Sequence, residues 1–571
     1  MSTDTKHIQP NNPTDEERHE MIRRALEEAN HVEDFENIIE LLGPPKDITT
    51  IGSLGEGKGV KVGIIGGGLA GMSSAFELRK LGFDTTIFEM QEKRIGGRIY
   101  TYYFDKDKKL YGEIGAMRIP VSHETTWHYI NLFDIKTSPF IQTSEDTFVY
   151  VRNKRAQNDA QGKSVMEKIY PEFNLAPWER NVSWQNLMEY ALRPALLKLD
   201  PNIRKELLQI KEQYSPQIEY LDSLSIRKVL EDMGLSNGAI ELISNVYPII
   251  GALYYNSYFE ILQQEYTVDA YYRYKIEGGS VNLPLAFYKS LTSKNPKDYP
   301  NIPEKYLGTV EWKNGKTVTS IYKGYNDKVI IEYTDKKHSK SLCETFDFAI
   351  CTIPFSSLRN VKVDPMFSTE KMQAIREVSY TSSQKTLFMC NKRFWEKGAK
   401  GKIVEGGSYT DLPISTIWYP GYKNSDNANM KNKKDSYDNY GVLLASYNLG
   451  QDAVRLGNID SRPRINTIKR QVEEVQGLSR GYLDPIVEDF KTVQWDKEQG
   501  FYGGFCYFMP QQQRLFSHAI VKPEYENRVY FAGEHASPVH AWIQGAVNSG
   551  MKAANSIAEY YKGCNKNKYT I

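Results

Sequence analysis

Three closely spaced glycines could bind a phosphate group. Gly66, Gly68 and Gly71 form the pattern G-x-G-x-x-G between a short apolar segment and a stretch with helical spacing. In a strand–turn–helix unit the first glycine permits the tight turn, the second lets the backbone approach a pyrophosphate, and the third lets helix and strand pack closely. The helix start adds free N–H groups and a positive dipole end. Glu89, 23 residues after Gly66, could accept hydrogen bonds from ribose hydroxyls, and its charge disfavours NADP. The unit predicts a site for NAD or FAD.

A second glycine pair favours FAD. The segment Ile-Gly-Gly-Arg-Ile begins six residues after Glu89 and contains Gly96, Gly97 and Arg98. The two glycines would let the backbone meet a phosphate or the edge of an isoalloxazine ring, and Arg98 would neutralise pyrophosphate charge. A Gly-Gly-Arg element at this distance is typical of flavoproteins.

Segments far apart in the chain extend the resemblance. Near the C-terminus an apolar run ends in Ala532, Gly533 and Glu534, which is similar to the second flavin signature of the flavin monoamine oxidase family. In that family the acid reaches the ribityl chain or the pyrophosphate side. Gly278 and Gly279 resemble the family's central Gly-Gly element. Two separated halves would therefore close on one cofactor, FAD.

The resemblance implies an α/β fold, α+β in parts. A Rossmann-like FAD-binding domain is built from discontinuous segments, beside a mixed-sheet substrate domain and a helical insertion. The expected segments are 59–110, 270–355 and 500–571 for the FAD-binding domain, 14–45, 111–164 and 356–499 for the substrate-binding domain, 165–269 for the helical domain, and 1–13 for a disordered lead-in.

A further segment resembles the L-amino acid oxidase group of this family. Residues 112–120 read Gly-Glu-Ile-Gly-Ala-Met-Arg-Ile-Pro, similar to the segment beneath the flavin in that group. There the arginine, here Arg118, clamps the substrate carboxylate, which suits a guanidinium fork because it binds a carboxylate bidentately. Tyr447 matches the tyrosine that supports the carboxylate. Lys385 matches the lysine that holds a water near flavin N5, so it is the expected catalytic residue.

The resemblance gives a full set of candidate site residues. Substrate would contact Arg118, Tyr447, Ala541 and Trp542. The expected cofactor-binding residues are Gly66, Gly68, Leu69, Ala70, Gly71, Glu89, Met90, Gly96, Gly97, Arg98, Gly115, Ala116, Met117, Arg118, Val310, Trp495, Gly533, Glu534, Trp542, Ile543 and Ala546.

Two departures from the family pattern matter. Some members carry a histidine, proposed as a base, before the central Gly-Gly element. Residues 256–275 contain no histidine, and Gln263 falls roughly where it would lie, so substrate would bind with its amine already deprotonated.

Monoamine oxidases hold FAD covalently through a cysteine directly after a Gly-Gly pair, whereas here Phe505 follows that pair and Cys506 comes one residue later. Successive strand side chains face opposite ways, so we expect non-covalent FAD.

The implied reaction is oxidative deamination of an L-amino acid. A hydride passes from the α carbon to flavin N5, the imino acid hydrolyses to a 2-oxo acid and ammonia, and dioxygen reoxidises the flavin to give hydrogen peroxide. An amino-acid 2-monooxygenase, which would yield an amide, shares the carboxylate anchor and stays open. An amine or polyamine oxidase, or a flavin-binding protein without turnover, are further alternatives. Trp542 and the frequent tyrosines slightly favour substrates with apolar or aromatic side chains.

Composition narrows the possible partners. Lys plus Arg number 72 and Asp plus Glu 71, a net charge of +1 in 571 residues, which does not favour binding of the whole chain to nucleic acid or an anionic membrane. The first 20 residues lack the apolar stretch of a secretory signal. Five scattered cysteines and nine histidines show neither disulfide nor zinc spacing. We expect a cytoplasmic protein without a metal or a membrane partner and, from the resemblance, a homodimer.

Patterning also predicts local elements. Thr14 and Glu17 fit a capping box that starts a helix. Pro194 should break the helical pattern in which it lies. Helical spacing predicts helices near 31–42, 187–197, 203–214, 225–233 and 239–247, alternation predicts strands over 310–347, and polar composition predicts a solvated loop at 423–440.

Overall fold

The computed structural model describes residues 9–335, 340–397, 403–421 and 440–568, with side chains to 564. Its helices are α1 Asp15–Glu28, α2 Phe35–Leu42, α3 Ile48–Ile51, α4 Leu69–Lys80, α5 Glu124–Leu132, α6 Lys163–Lys168, α7 Trp184–Leu192, α8 Pro194–Leu197, α9 Pro201–Arg204, α10 Pro216–Asp222, α11 Ile226–Asp232, α12 Asn237–Val246, α13 Pro248–Gly251, α14 Tyr258–Tyr266, α15 Asn282–Thr292, α16 Phe355–Leu358, α17 Thr369–Glu377, α18 Gly450–Gly457, α19 Ser461–Gln476, α20 Gln512–Val521 and α21 Ile543–Lys568.

The strands alternate with these helices along most of the chain. They are β1 Lys61–Ile65, β2 Asp84–Glu89, β3 Thr101–Tyr103, β4 Tyr111–Glu113, β5 Ile119–Pro120, β6 Thr137–Pro139, β7 Phe148–Val151, β8 Lys154–Gln157, β9 Arg273–Ile276, β10 Val310–Asn314, β11 Lys316–Lys323, β12 Val329–Asp335, β13 Lys340–Phe346, β14 Phe348–Cys351, β15 Lys362–Asp364, β16 Tyr380–Thr381, β17 Ser383–Cys390, β18 Glu405–Thr410, β19 Thr416–Pro420, β20 Gly441–Leu449, β21 Val487–Gln494, β22 Phe505–Cys506 and β23 Val529–Phe531.

A five-stranded parallel sheet carries the glycine-rich turn. Its order is β10-β2-β1-β14-β23, and all its pairings are parallel. Both faces are covered, which explains why β1 reads as a continuous apolar run. On one face α4 packs so closely on α21 that Ser73 Oγ donates to Val547 O and a Cβ on Gly550 would lie 2.1 Å from Ser73 Oγ. This is the α/β arrangement that places ligands at the carboxyl ends of the strands.

The other face of this sheet meets a four-stranded sheet of order β13-β12-β11-β15. Gly63 of β1 allows the approach, since a Cβ there would lie 2.5 Å from Ile331 and 2.9 Å from Phe346. The strands of the five-stranded sheet all come from the segments expected for an FAD-binding domain, 59–110, 270–355 and 500–571.

A mixed seven-stranded sheet forms the second large layer. Its order is β21-β17-β20-β19-β18-β7-β8; β18 and β7 pair in parallel, while the pairings at both ends of the sheet are antiparallel. These strands come from the segments expected for the substrate domain. A small sheet, β5-β9-β6, joins them to residues 270–355, so β9 pairs with the substrate side although its sequence range was expected on the FAD side.

The region 163–266 is helical from α6 to α14, with short irregular connections. It docks on the segment around β22 through buried polar contacts: Asn256 Nδ2 donates to Tyr507 O at 3.0 Å and Phe508 N–H donates to Glu260 Oε1 at 2.8 Å. The helix break at Pro194 is confirmed. The helix predicted over 203–214 is wrong beyond Leu208, because the chain turns to extended backbone at Gln209.

Three local predictions need comment. The capping box at Thr14 is present with both hydrogen bonds, and the second helix begins at Phe35, after a 3₁₀ turn, and not at His31. The disordered lead-in over 1–13 is wrong for its last residues, because Asn12 exchanges hydrogen bonds with Thr137 and Pro10 O accepts from Tyr274. Its first eight residues, and nearly all of the loop at 423–440, lie outside the described residues.

None of the described helices combines the length and the apolar character that a membrane span requires.

Candidate active site

The glycine-rich turn leaves open space at the end of β1. Gly66 has φ +112°, which an L side chain rarely adopts, and a Cβ on Gly71 would lie 2.2 Å from Gly66 O. Gly68, the N-cap of α4, has nothing nearer to its Cβ position than Gly97 Cα at 3.9 Å. The two glycine loops thus face each other across room for a diphosphate, at the free N–H groups of a helix start.

Glu89 lies beside this turn. Its carboxylate accepts hydrogen bonds from Gly67 N–H at 2.9 Å and from Gln91 N–H at 2.7 Å. The acid is thereby fixed at the end of β2, next to the turn that would hold the pyrophosphate. That is the placement a ribose-binding acid needs.

Arg98 and Glu534 join the two halves of the chain. Arg98 Nη1 lies 2.7 Å from Glu534 Oε1, and Glu534 also accepts from the N–H groups of Cys506 at 3.0 Å and Ala541 at 2.9 Å. Burial opposes ionisation of Glu534, but the charge of Arg98 and the hydrogen bond from Ala541 N–H help to hold its pKa below its usual range. Glu534 is therefore a buried anion that fixes the loop carrying Ala541, whose φ is +67°.

A cavity of ≈ 2200 Å³, its open mouth included, connects these groups. Gly71 and Val310 of the predicted set do not line it. Gly71 lies behind the turn, where its lack of a side chain lets α4 pack closely against β1. Val310 pairs with Thr85 at the edge of the parallel sheet, and residues 316–319 contact the cavity instead. The predicted residues that line it are Gly66, Gly68, Leu69, Ala70, Glu89, Met90, Gly96, Gly97, Arg98, Gly115, Ala116, Met117, Arg118, Lys385, Tyr447, Trp495, Gly533, Glu534, Ala541, Trp542, Ile543 and Ala546.

Lys385, on β17, faces the cavity from the seven-stranded sheet. Its Nζ donates to Gly115 O at 2.7 Å and lies 4.5 Å from the centre of the Tyr447 ring. Burial, with a further contribution from the charge of Arg118, lowers the pKa of Lys385 to about 7, against the smaller opposing effect of Glu113. This amine is therefore neutral in much of the population just above neutral pH.

Arg118 presents its guanidinium to the cavity between aromatic rings. Its Cζ lies 5.3 Å from the ring centre of Trp418 and 5.8 Å from that of Phe140. Burial raises the pKa of the neighbouring Tyr447 phenol, and the charge of Arg118 opposes that rise. Within the described residues no carboxylate lies within 4.0 Å of this guanidinium. A fork-shaped cation beside a phenol, with no counterion in contact among the described residues, has the chemistry to bind an external carboxylate.

Two indoles form part of the cavity wall. Trp495 is held by its Nε1–H, which donates to Ile114 O at 3.1 Å. The Trp542 ring is flanked by Arg273, whose Cζ is 5.6 Å from its centre, and by His123 at 5.2 Å. His540, two residues before Trp542, is anchored by Nδ1 at 2.7 Å from Glu260 Oε1. Both indole rings are therefore in contact with residues of other elements.

Sequence reasoning missed several groups at this site. Ile249, Leu253, Gln264, Phe505 and Tyr507 also line the cavity, and no spacing in the sequence marked them. Gln263, predicted at the place of the missing histidine, is buried and contacts Thr267. Its neighbour in sequence is the glutamine that lines the cavity, because the phase of α14 turns Gln264 toward it.

Cys506 does not line the cavity, whereas Phe505 does. The thiol belongs to a separate buried apolar cluster with Phe508 and Phe531. The alternation expected for these two residues is therefore confirmed. Among the described residues, no group of three or more His, Cys, Asp or Glu side chains could hold a metal ion.

Comparison with known proteins gives the family. A model described as flavin containing amine oxidoreductase matches residues 69–558. The chain belongs to the flavin-containing amine oxidoreductase family. It is thus an enzyme of this family and uses FAD, the cofactor that the facing glycine loops, the helix start and Glu89 fit.

Individual members of the family give more detail. The chain is 28% identical over 539 residues to an L-amino-acid oxidase of Crotalus adamanteus, covering 94% of this chain and 92% of that one. It is 28% identical over 537 residues to one of Bothrops moojeni, covering 94% and 95%. In fold it is similar to a putrescine oxidase (TM-score 0.64, 14% identity, 87% of this chain and 98% of that one). It is also similar to the cyclohexylamine oxidase of Brevibacterium oxydans (TM-score 0.63, 16% identity, 88% and 99%).

Proposed function

We propose that this enzyme oxidises L-amino acids: an L-amino acid, water and dioxygen give a 2-oxo acid, ammonium and hydrogen peroxide. The observation that carries the proposal is the Arg118 guanidinium, which faces the cavity beside Tyr447 and has no carboxylate in contact within the described part of the chain. The relatives named L-amino-acid oxidase support the same reading.

Arg118 and Tyr447 would fix the substrate carboxylate. A bidentate guanidinium pair sets the orientation of the carboxylate plane as well as its position, and the phenol adds a second direction. The α carbon is then held in one pose, and positioning of this kind supplies a large part of a barrier reduction. FAD, when bound, supplies the redox chemistry by taking a hydride from the α carbon and passing two electrons to dioxygen.

Lys385 would act on the polar side of the same pocket. Its Nζ is held by Gly115 O and faces Tyr447. With its pKa lowered to about 7 by burial and by Arg118, the amine can exchange a proton near neutral pH without leaving its place. We assign it the binding of a water and a proton-transfer role in reoxidation.

The wall favours apolar or aromatic side chains on the substrate. Ile249, Leu253, Phe505, Tyr507 and Trp542 contribute apolar surface to the cavity. Burial of such a side chain contributes about 1.5–3 kcal/mol, which is enough to rank substrates.

An amine or diamine oxidase is the less favoured alternative. An amine without a carboxylate would leave Arg118 uncompensated and place an ammonium near it. Because like charges in a partly buried cavity repel, such a substrate would bind poorly. An amino-acid 2-monooxygenase keeps the carboxylate anchor, so only the products separate it from an oxidase.

The test is anaerobic mixing of the purified yellow protein with a pool of L-amino acids, followed at the absorbance band of oxidised flavin. We expect bleaching by the L pool and not by a D pool. Splitting the pool names the substrate, and product analysis distinguishes oxo acid and peroxide from amide and carbon dioxide. If the L pool leaves the band unchanged while an amine bleaches it, the proposal is wrong.

Three expectations remain predictions: non-covalent FAD, a homodimer and a cytoplasmic location. The placement of Cys506 away from the cavity supports the first. Sedimentation velocity of the holoenzyme tests the second, and fractionation of the source cells tests the third.

A further inference from the structure

A second arginine lies next to Arg118. On the small sheet Arg273 pairs with Pro120, and Arg118 comes two residues before Pro120. Arg118 directly precedes this strand, β5, and its charge contributes to lowering the pKa of Arg273, so the two guanidiniums are close in space. Arg273 is 8% exposed, and its Cζ lies 5.6 Å from the ring centre of Trp542, a residue of the cavity wall.

Arg273 has polar partners but no counterion in contact. Its Nε donates to Asp269 O at 2.6 Å, and its Nη1 donates to Gln142 Oε1. Within the described part of the chain no carboxylate lies within 4.0 Å of its guanidinium. A buried cation is normally retained with a paired anion, so an unpaired one beside a substrate cavity calls for an explanation.

The charged groups around it do not cancel it. The Asp269 carboxylate is engaged by Ser122 at 3.0 Å and by His123 at 3.3 Å. Lys275, on the same strand, is paired with Glu405 at 3.4 Å.

Phenols and a guanidinium also lie near Arg273. Tyr247, Tyr409 and Tyr447 face the pair of arginines. Burial and then Arg118 lower the pKa of Arg273 to about 10, and Arg118 outweighs the opposing effect of Asp269. Arg273 stays protonated at neutral pH. It does not itself line the cavity, but it places a positive charge directly behind Trp542 of the cavity wall.

Binding of the substrate would change the charge around Arg118 but not that of Arg273. On the proposed function, the substrate carboxylate neutralises Arg118. The charge of Arg273 then remains and opposes any second cation in the pocket, whether the α-ammonium or a cationic side chain. Among the residues that the structure describes, no histidine lines the cavity to take up a proton.

We propose that Arg273 is a specificity-determining residue, whose guanidinium selects the neutral-amine form of the bound L-amino acid and rejects substrates with cationic side chains. The α-ammonium releases its proton to water on binding, and the amine lone pair is then available when the Cα–H leaves as hydride. This inference rests on the proposed function and explains how the enzyme works without a histidine base.

The test compares wild type with Arg273→Gln and Arg273→Lys. Arg227→Gln serves as the matched control, because Arg227 is on α11 and pairs with Glu231, away from the cavity. Each holoenzyme is checked for flavin content and melting temperature. The rate of anaerobic flavin reduction by L-norleucine and L-lysine is then measured across pH, since the two side chains differ by one terminal ammonium. Binding of hexanoate and 6-aminohexanoate, followed by the flavin spectrum, gives a readout without turnover.

We expect the acid limb of the reduction rate to move up by about one pH unit in Arg273→Gln. We also expect the norleucine-to-lysine ratio of kcat/KM to fall by about tenfold or more, and the preference for hexanoate over 6-aminohexanoate to fall with it. Arg273→Lys, which keeps the charge, should retain both properties, as should Arg227→Gln.

The proposal is wrong if folded, flavin-loaded Arg273→Gln keeps the acid limb of the reduction rate and the norleucine-to-lysine ratio of kcat/KM of wild type. Equal losses in Arg273→Lys would also overturn it, because these would indicate a structural role. If Arg273→Gln does not fold, wild type decides: its acid limb must lie at least about one unit below the pKa of the same ammonium in water. If no L-amino acid reduces the flavin at all, it is the proposed function that fails.

Discussion

Replacement of Arg118 by Met tests the carboxylate anchor most directly. Loss of one member of a buried, hydrogen-bonded charge pair costs about 2–5 kcal/mol. Arg118 is half-buried and faces a cavity, and Tyr447 remains as a partner for the carboxylate. We therefore expect the lower part of that range, about 2–3.5 kcal/mol, which is about a 30-fold to 400-fold loss of kcat/KM for the preferred L-amino acid.

The assay is stopped-flow reduction of the flavin by the amino acid and by its decarboxylated amine. The amine has no carboxylate for Arg118, so its slow reaction should change little or improve, and the ratio between the two substrates should collapse. Arg118→Lys keeps a point charge but loses the fork, and should recover only part of the loss.

A second readout is independent of substrate. The charge of Arg118 helps to hold the pKa of Lys385 near 7, after burial. In Arg118→Met the pH transition of the oxidised-flavin spectrum that belongs to Lys385 should move to higher pH. A loss below about fivefold, or an equal loss for amino acid and amine, would refute the anchor; binding energies of charged hydrogen bonds do not fall that low.

Three further predictions concern the lysine, the turn and the cofactor. Lys385→Met should slow flavin reoxidation by dioxygen about 100-fold, since positioned proton transfer contributes a factor of about 10²–10⁴ to a rate. It should also abolish a spectral transition near pH 7, above which the wild-type amine is neutral. Unchanged reoxidation in oxygen-jump experiments would contradict this. Gly71→Ala places a Cβ 2.2 Å from Gly66 O, so overpacking of about 1–3 kcal/mol should lower both the melting temperature and the flavin-to-protein absorbance ratio, and a fully loaded variant of normal stability would contradict it. Acid precipitation should release all flavin into the supernatant, because Cys506 does not line the cavity; flavin left on the pellet would show a covalent link.

The local signals in the sequence were sufficient for the cofactor half of the site. Gly66, Gly68 and Gly71 act through backbone geometry within one strand–turn–helix unit, so their spacing already contains the physical requirement. The capping box at Thr14 and the break at Pro194 are equally local. Resemblance to a family then located Arg118, Lys385 and Tyr447, which the fold brings to one cavity.

Other parts of the cavity could not be predicted from the sequence, because neighbours in space, and not neighbours in sequence, decide which residues reach it. Val310 and residues 316–319 lie on consecutive strands, and only the sheet pairing determines which segment reaches the cavity. Gln263 and Gln264 are adjacent, and only the packing phase of α14 turns one of them inward. The helix predicted to Tyr214 stops at Leu208, and beyond it the Tyr214 hydroxyl lies 3.1 Å from Ser517 Oγ, a contact across 303 residues of sequence.

The sequence by itself therefore determined the cofactor class and the layered α/β architecture, and resemblance proposed the carboxylate anchor. The tertiary structure decided the charge state and the charge balance of the pocket. Arg118 and Arg273 are 155 residues apart along the chain and become neighbours only when β5 pairs with β9. The lowered pKa of Lys385 likewise arises from burial and from Arg118, because desolvation and Coulomb interactions depend on distance in space.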